Sequence, residues 1–161
     1  LTAVISDANI LIDYIESNKY ILSISCKKLY KIIIPSPILN EIKQLSQEEA
    51  VNLGMEIYEP SFKQVLEANQ RGGRLSFYDK LCFLIARDKN CICTTNDKLL
   101  KKHCTNNNVN TIWGLEIMLR LCENNFLEKR VAIETAKDIH TMNKLITKEV
   151  LNTFIDKIKK L

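Results

Sequence analysis

Apolar positions along this chain follow two periods in turn. Short clusters rich in β-branched residues, Ala3 to Ser6, Ile32-Ile33-Ile34, Met55 to Tyr58, Cys91 to Thr94 and Val109 to Ile112, read as strands. Between them lie stretches with helical spacing: about Ala8 to Glu16, Tyr20 to Lys28, a segment opening at Ser36-Pro37, Ser61 to Asn69, Phe77 to Arg87, and Asp97 to Lys102. Ser36 reads as the N-cap of its helix, with Pro37 at the first helical position and Ile38, Ile42 and Leu45 along one buried face. Gln70 to Arg74 is polar and contains two glycines, which predicts a loop. From Gly114 onward the pattern is wholly helical, with one helix through Cys122, another through His140 and a last from about Thr147.

Strands alternating with helices over the first two-thirds predict the α/β class, with a central parallel sheet of about five strands covered on both faces. The chain divides into a core over residues 1–113 and a helical extension over 114–161, packed on that core or presented to a partner.

Four acids stand near the starts of these helices or inside one. They are Asp7 in Val4-Ile5-Ser6-Asp7-Ala8-Asn9, Glu41 in Ile38-Leu39-Asn40-Glu41-Ile42, Asp79 in Leu75-Ser76-Phe77-Tyr78-Asp79, and Asp97 in Thr94-Thr95-Asn96-Asp97. In a parallel α/β domain the strand-to-helix junctions converge on one sheet edge, where ligands bind. Carboxylates gathered there repel one another unless a cation or protons neutralise them. Each acid also has a structural role open to it. Asp7 and Asp97 could cap the helices they precede, and Asp79 follows Ser76 by three, a capping-box spacing. Capping does not account for Glu41, which falls inside its predicted helix on the flank of the apolar stripe. Asn9 and Thr95 add uncharged oxygens beside the first and last acids, suited to a supporting shell or to turn chemistry.

Composition narrows the class further. At 161 residues, with 46% hydrophobic and 26% charged residues, the chain reads as one ordinary globular domain. No apolar run is long enough to span a bilayer, and no charged leader with an apolar core opens the sequence. The six cysteines lack paired CxxC spacing and mostly sit in apolar surroundings, which predicts free thiols and a reduced, cytoplasmic setting. A net charge of +4 permits an anionic partner without demanding one.

The ordered set Val4-Ile5-Ser6-Asp7-Ala8-Asn9-Ile10-Leu11-Ile12, Glu41, Leu75-Ser76-Phe77-Tyr78-Asp79 and Thr94-Thr95-Asn96-Asp97-Lys98-Leu99-Leu100 resembles a PIN-domain nuclease. This is the fold of the toxin ribonucleases of VapC-type toxin–antitoxin pairs. The resemblance runs from about Ala3 to Ile112. The tail from Trp113-Gly114-Leu115-Glu116 is similar to that of a prokaryotic subgroup with extra C-terminal helices. It implies a three-layer α/β/α sandwich, Mg²⁺ or Mn²⁺ dependence and single-stranded RNA as substrate. By position it makes Asp7, Glu41, Asp79 and Asp97 the pocket acids, with Asn9, Ser76 and Thr95 as supporting polar groups. A small antitoxin protein would be the partner, and a homodimer is compatible.

The chemistry expected is metal-assisted phosphodiester hydrolysis, with Asp7, Asp79 and Asp97 as metal ligands and Glu41 completing the pocket. Arg71, Arg74, Lys98, Lys101 and Lys102 would hold the RNA backbone, and Tyr78 and Trp113 are candidates for stacking on bases. Two other readings compete. A phosphotransferase using Asp7 as nucleophile wants a second acid two residues on, where this chain has Asn9. A non-catalytic module would use the acids structurally and bind nucleic acid or protein.

Overall fold

The structure is a computed structural model that describes residues 2–161. Five strands, β1 (Thr2–Ser6), β2 (Tyr30–Pro35), β3 (Glu56–Tyr58), β4 (Ile92–Thr94) and β5 (Thr111–Ile112), form one sheet in the order β3-β2-β1-β4-β5. Every pairing is parallel; Val4 stands opposite Ile32 on one side and Ile92 on the other. The first strand is therefore the middle of the sheet. Its residues Val4, Ile5 and Ser6 are buried, as a strand covered on both faces requires.

The crossovers are α1 (Ala8–Asn18) and α2 (Tyr20–Lys28) after β1, α3 (Ser36–Glu41) and α4 (Gln47–Asn52) after β2, α5 (Phe62–Ala68) and α6 (Phe77–Lys89) after β3, and α7 (Lys98–Asn106) after β4. After β5 come α8 (Gly114–Glu123), α9 (Lys129–Met142) and α10 (Lys148–Lys160). The α/β class, the five-stranded parallel sheet and the C-terminal helices agree with the sequence reading.

One helix departs from it. The segment after β2 stops at Glu41, because Ile42 takes an extended conformation (φ −90°, ψ 99°), and a separate short helix, α4, follows. Pro35, not Ser36, is the cap residue, and the Ser36 hydroxyl instead donates to Glu59 across the connection. Ile42 and Leu45 are still buried, so the apolar spacing reported burial correctly while the backbone left the helix. Glu41 thereby becomes an exposed terminal residue rather than one on a helix flank.

The C-terminal helices share the core of the sheet. Leu115, Met118 and Leu121 of α8, Ile139 of α9, and Leu151, Phe154 and Ile158 of α10 join the same apolar cluster as Val4, Leu11 and Tyr14. The Tyr14 hydroxyl donates to the Gly114 carbonyl, and α9 lies along α1. A polar tie reinforces this contact. Asp13, buried midway along α1, accepts from Asn143 Nδ2 at 2.9 and 3.0 Å on its two oxygens.

Removing that amide leaves a buried carboxyl group without its partner, which costs the group's desolvation in full. Asn143→Ala is expected to lower unfolding stability by about 2 kcal/mol in urea titration. A change within experimental error would show that the contact contributes nothing.

Candidate active site

Hydrophobic strands and helix-capping chemistry place the acids. β1 ends at Ser6, and the next residue, Asp7, caps α1 by accepting from Ile10 N at 3.0 Å. β4 ends at Thr94, and three residues on Asp97 caps α7, accepting from Leu100 N at 2.7 Å. Asp79 closes the capping box of α6: its Oδ2 accepts from Ser76 Oγ at 2.7 Å, and its own N–H donates to Ser76 Oγ at 3.1 Å. The structural roles open to these aspartates are thus real. They also fix the carboxylates at the sheet edge and leave oxygen to spare. Among the described residues, Asp79 Oδ1 and Asp97 Oδ2 have no hydrogen bond within the protein.

These side chains meet in one cleft of about 270 Å³. It is lined by Asp7, Asn9, Glu41, Ser76, Asp79 and Asp97, with Ala8, Ile38, Tyr78 and Cys82 completing the wall. All four sequence-predicted acids are brought together, along with two of the three supporting groups. The third, Thr95, is buried behind them. Its hydroxyl accepts from the Asp97 N–H at 3.0 Å and favours the charged form of Asp7, so it bears on both acids.

Asp7 is the electrostatic centre of the cleft. Burial pushes its carboxyl up to about 6, against the lowering effects of the Ile10 amide and the Thr95 hydroxyl; the charges of Asp79 and Asp97 add to the rise. Beneath the cleft, burial holds the Cys82 thiol well above its ordinary range, and Asp7 and Asp79 push it the same way, so it stays an unreactive thiol. At the open side Tyr78 and Glu41 line the cleft together, and the nearby carboxylate raises the phenol's pKa. Tyr78 is a contributor that stacking arguments noticed for another reason; its place between Ser76 and Asp79, beside the cleft, was the signal.

The basic residues do not line the cleft. Arg71 and Arg74 lie exposed on the loop leading into Ser76. Lys98 and Lys102 are exposed on α7, and Lys101 lies over the Trp113 ring, 4.2 Å from its centre. Asp13 escaped the sequence reading altogether. Burial raises its carboxyl to about 6, opposed by the Asn143 amide. Nothing local in Leu11-Ile12-Asp13-Tyr14 indicates a partner 130 residues away.

A search of solved structures finds a PilT N-terminus (PIN) domain protein from the hyperthermophilic archaeon Sulfolobus solfataricus, with a TM-score of 0.54 over 72% of this chain and 90% of that one. The fold is PIN-like. At 17% identity the similarity is one of architecture. Neither family models nor curated proteins match the sequence. Whether the cleft suits a metal ion is a question for its own donors. Its donors are carboxylate and hydroxyl oxygens, the set a hard divalent cation takes. Among the described residues, however, no three His, Cys, Asp or Glu side chains stand close enough to enclose an ion by themselves. An ion that retains several waters, as Mg²⁺ does, suits such an open arrangement.

The metal-free protein should be more stable in mild acid. Asp7 and Asp13 each have a folded pKa near 6 against an ordinary 3.8, so their stabilising contribution is complete below 3.8 and is lost as pH rises through 6. Between pH 7.5 and pH 5 each acid should contribute roughly 1 kcal/mol of added stability. Chemical denaturation of wild type and Asp7→Asn across this range checks it: the variant should show a shallower pH dependence and greater stability at pH 7.5.

Proposed function

We propose that this chain is a metal-dependent endoribonuclease acting on single-stranded RNA, with Mg²⁺ or Mn²⁺ held by Asp7, Asp79 and Asp97. The observation that carries the reading is the convergence of these three aspartates and Glu41 in one cleft at the carboxyl edge of a PIN-like parallel sheet. A divalent ion bound there would lower the pKa of a coordinated water and offset the charge developing on the scissile phosphate.

The protein's own groups would divide the work as follows. Capping hydrogen bonds fix the Asp7, Asp79 and Asp97 carboxylates before substrate arrives, so little reorganisation is needed on binding. Glu41, exposed and lining the cleft with Tyr78, would orient the attacking water directly or through another water. Asn9 and Ser76 would offer hydrogen bonds at the margin of the cleft, and Thr95 would favour the charged form of Asp7 from behind. Arg71, Arg74, Lys98, Lys101 and Lys102 would bind the RNA backbone through phosphate contacts that weaken with salt. The resemblance in sequence order extends this to the toxin of a toxin–antitoxin pair, with a small antitoxin protein as partner and a homodimer as a possible assembly.

Asp7→Asn and Asp97→Asn keep a capping oxygen but lose the charge. Each should lower Mg²⁺- or Mn²⁺-dependent RNA cleavage on the order of 100-fold or more, with little loss of folding. Manganese at about 100 times its Kd should stabilise the wild type by roughly 2.7 kcal/mol, and the variants far less. Equal cleavage by all three proteins would reject the mechanism. An unshifted melting temperature at millimolar metal would favour a non-catalytic binding module instead.

A further inference from the structure

The chain has five arginines, and three of them are committed to ion pairs: Arg87 with Glu67 and Asp88, Arg120 with Glu116 and Glu123, and Arg130 with Glu134. Arg71 and Arg74 have no ionic partner among the described residues. Both belong to the loop between α5 and α6, which runs directly into the Ser76–Asp79 capping box at the cleft. A guanidinium left unpaired on the exposed loop that leads to this capping box is free to take an external anion.

The loop holding them has little of its own to fix it. No backbone–backbone hydrogen bond ties residues 71–75 among the described residues. Its course depends on Gly72 and Gly73, with φ of +112° and +78°, values that side-chain-bearing residues rarely adopt. Nothing crowds either glycine, so backbone conformation, not space, calls for them. One side chain crosses this gap. Lys80, next to Asp79 on α6, donates from Nζ to the Gln70 carbonyl at 2.7 Å and to the Gly72 carbonyl at 3.0 Å. The two accepted bonds bracket Arg71.

We infer that Lys80 is a positioning residue for the substrate: it straps the Gln70–Arg74 loop to α6 and so holds Arg71 and Arg74 ready for the backbone of single-stranded RNA entering the cleft. The inference rests on the nuclease reading and adds to it a residue that touches no substrate. Ordering the loop in advance removes part of the entropy that RNA binding would otherwise spend on it. Because α6 carries both the strap and Asp79, the loop keeps a fixed offset from the acids. Lys80 therefore acts on RNA affinity, with the chemical step left to the carboxylates.

The test measures binding of a fluorescein-labelled single-stranded RNA 12-mer by anisotropy without divalent metal, where no cleavage complicates the readout. Arg71→Ala/Arg74→Ala should weaken binding about tenfold and reduce the slope against log salt by about 1.4, as loss of two single-strand phosphate contacts requires. Lys80→Ala should weaken binding about threefold or more, Lys80→Arg should restore it, and Lys80→Ala should add nothing in the Arg71→Ala/Arg74→Ala background. A readout independent of RNA accompanies these. Limited trypsin digestion, followed by mass spectrometry of fragments ending at Arg71 or Arg74, should proceed about fivefold faster in Lys80→Ala than in wild type. With metal present, KM should rise in Lys80→Ala while kcat at saturating RNA is kept.

An additive loss with unchanged nicking would make Lys80 a direct phosphate contact and overturn the strap. Unaltered RNA binding by Arg71→Ala/Arg74→Ala would overturn the role of the loop. Either result leaves the metal pocket standing if Asp97→Asn still abolishes cleavage. Failure of the wild type to bind the 12-mer at all would overturn the strap and the nuclease reading together.

Discussion

A carboxylate removed from water at the end of the middle strand is the constraint on which the rest of the site depends. Asp7 follows β1, the strand flanked on both sides, so its surroundings are set by the most enclosed part of the sheet. Enclosure alone would drive it to the neutral acid. The Ile10 amide and Thr95 hydroxyl pull the other way, while Asp79 and Asp97 push toward protonation. The outcome is a group poised near 6, charged at neutral pH but at a free-energy cost that a cation would offset. Thr95 also receives the Asp97 amide, so the position of the third carboxylate is tied to that of the first.

Most of this architecture was legible because local and global signals agree. β-branched clusters mark strands, the residue after β1 and the turn after β4 carry good capping acids, and Ser76 with Asp79 has capping-box spacing. The same hydrogen bonds that start helices α1, α6 and α7 therefore build the cleft. Glu41 was harder to place. Apolar residues at Ile38, Ile42 and Leu45 satisfy a helical period, yet the chain turns extended at Ile42 and buries them from a different backbone. Periodicity reports which side chains leave water, and here it did not report the path that takes them there.

Contacts distant in sequence were beyond such reading. Asp13 meets Asn143 across 130 residues, and its side chain looks misplaced on an apolar helix until α9 is in position. Lys80 is hidden for the opposite reason: its partners are backbone carbonyls, which every residue has, exposed by the turn at Gly72 and Gly73. The C-terminal helices are similarly more integrated than an appended segment would be. Tyr14, Asp13 and the shared apolar cluster make α1 the common support of the cleft at its first turn and of the extension along its side.

The double duty of the aspartates has an evolutionary side. As caps, Asp7 and Asp97 need only a side-chain oxygen to accept from Ile10 and Leu100, and an amide supplies that as well as a carboxylate does. Shape and chemistry are thus separable by exchanging one oxygen for nitrogen. If the proposed nuclease lost these charges, it could pass from cutting a strand to merely holding one without crossing an unfolded ancestor, because the caps need only the oxygen.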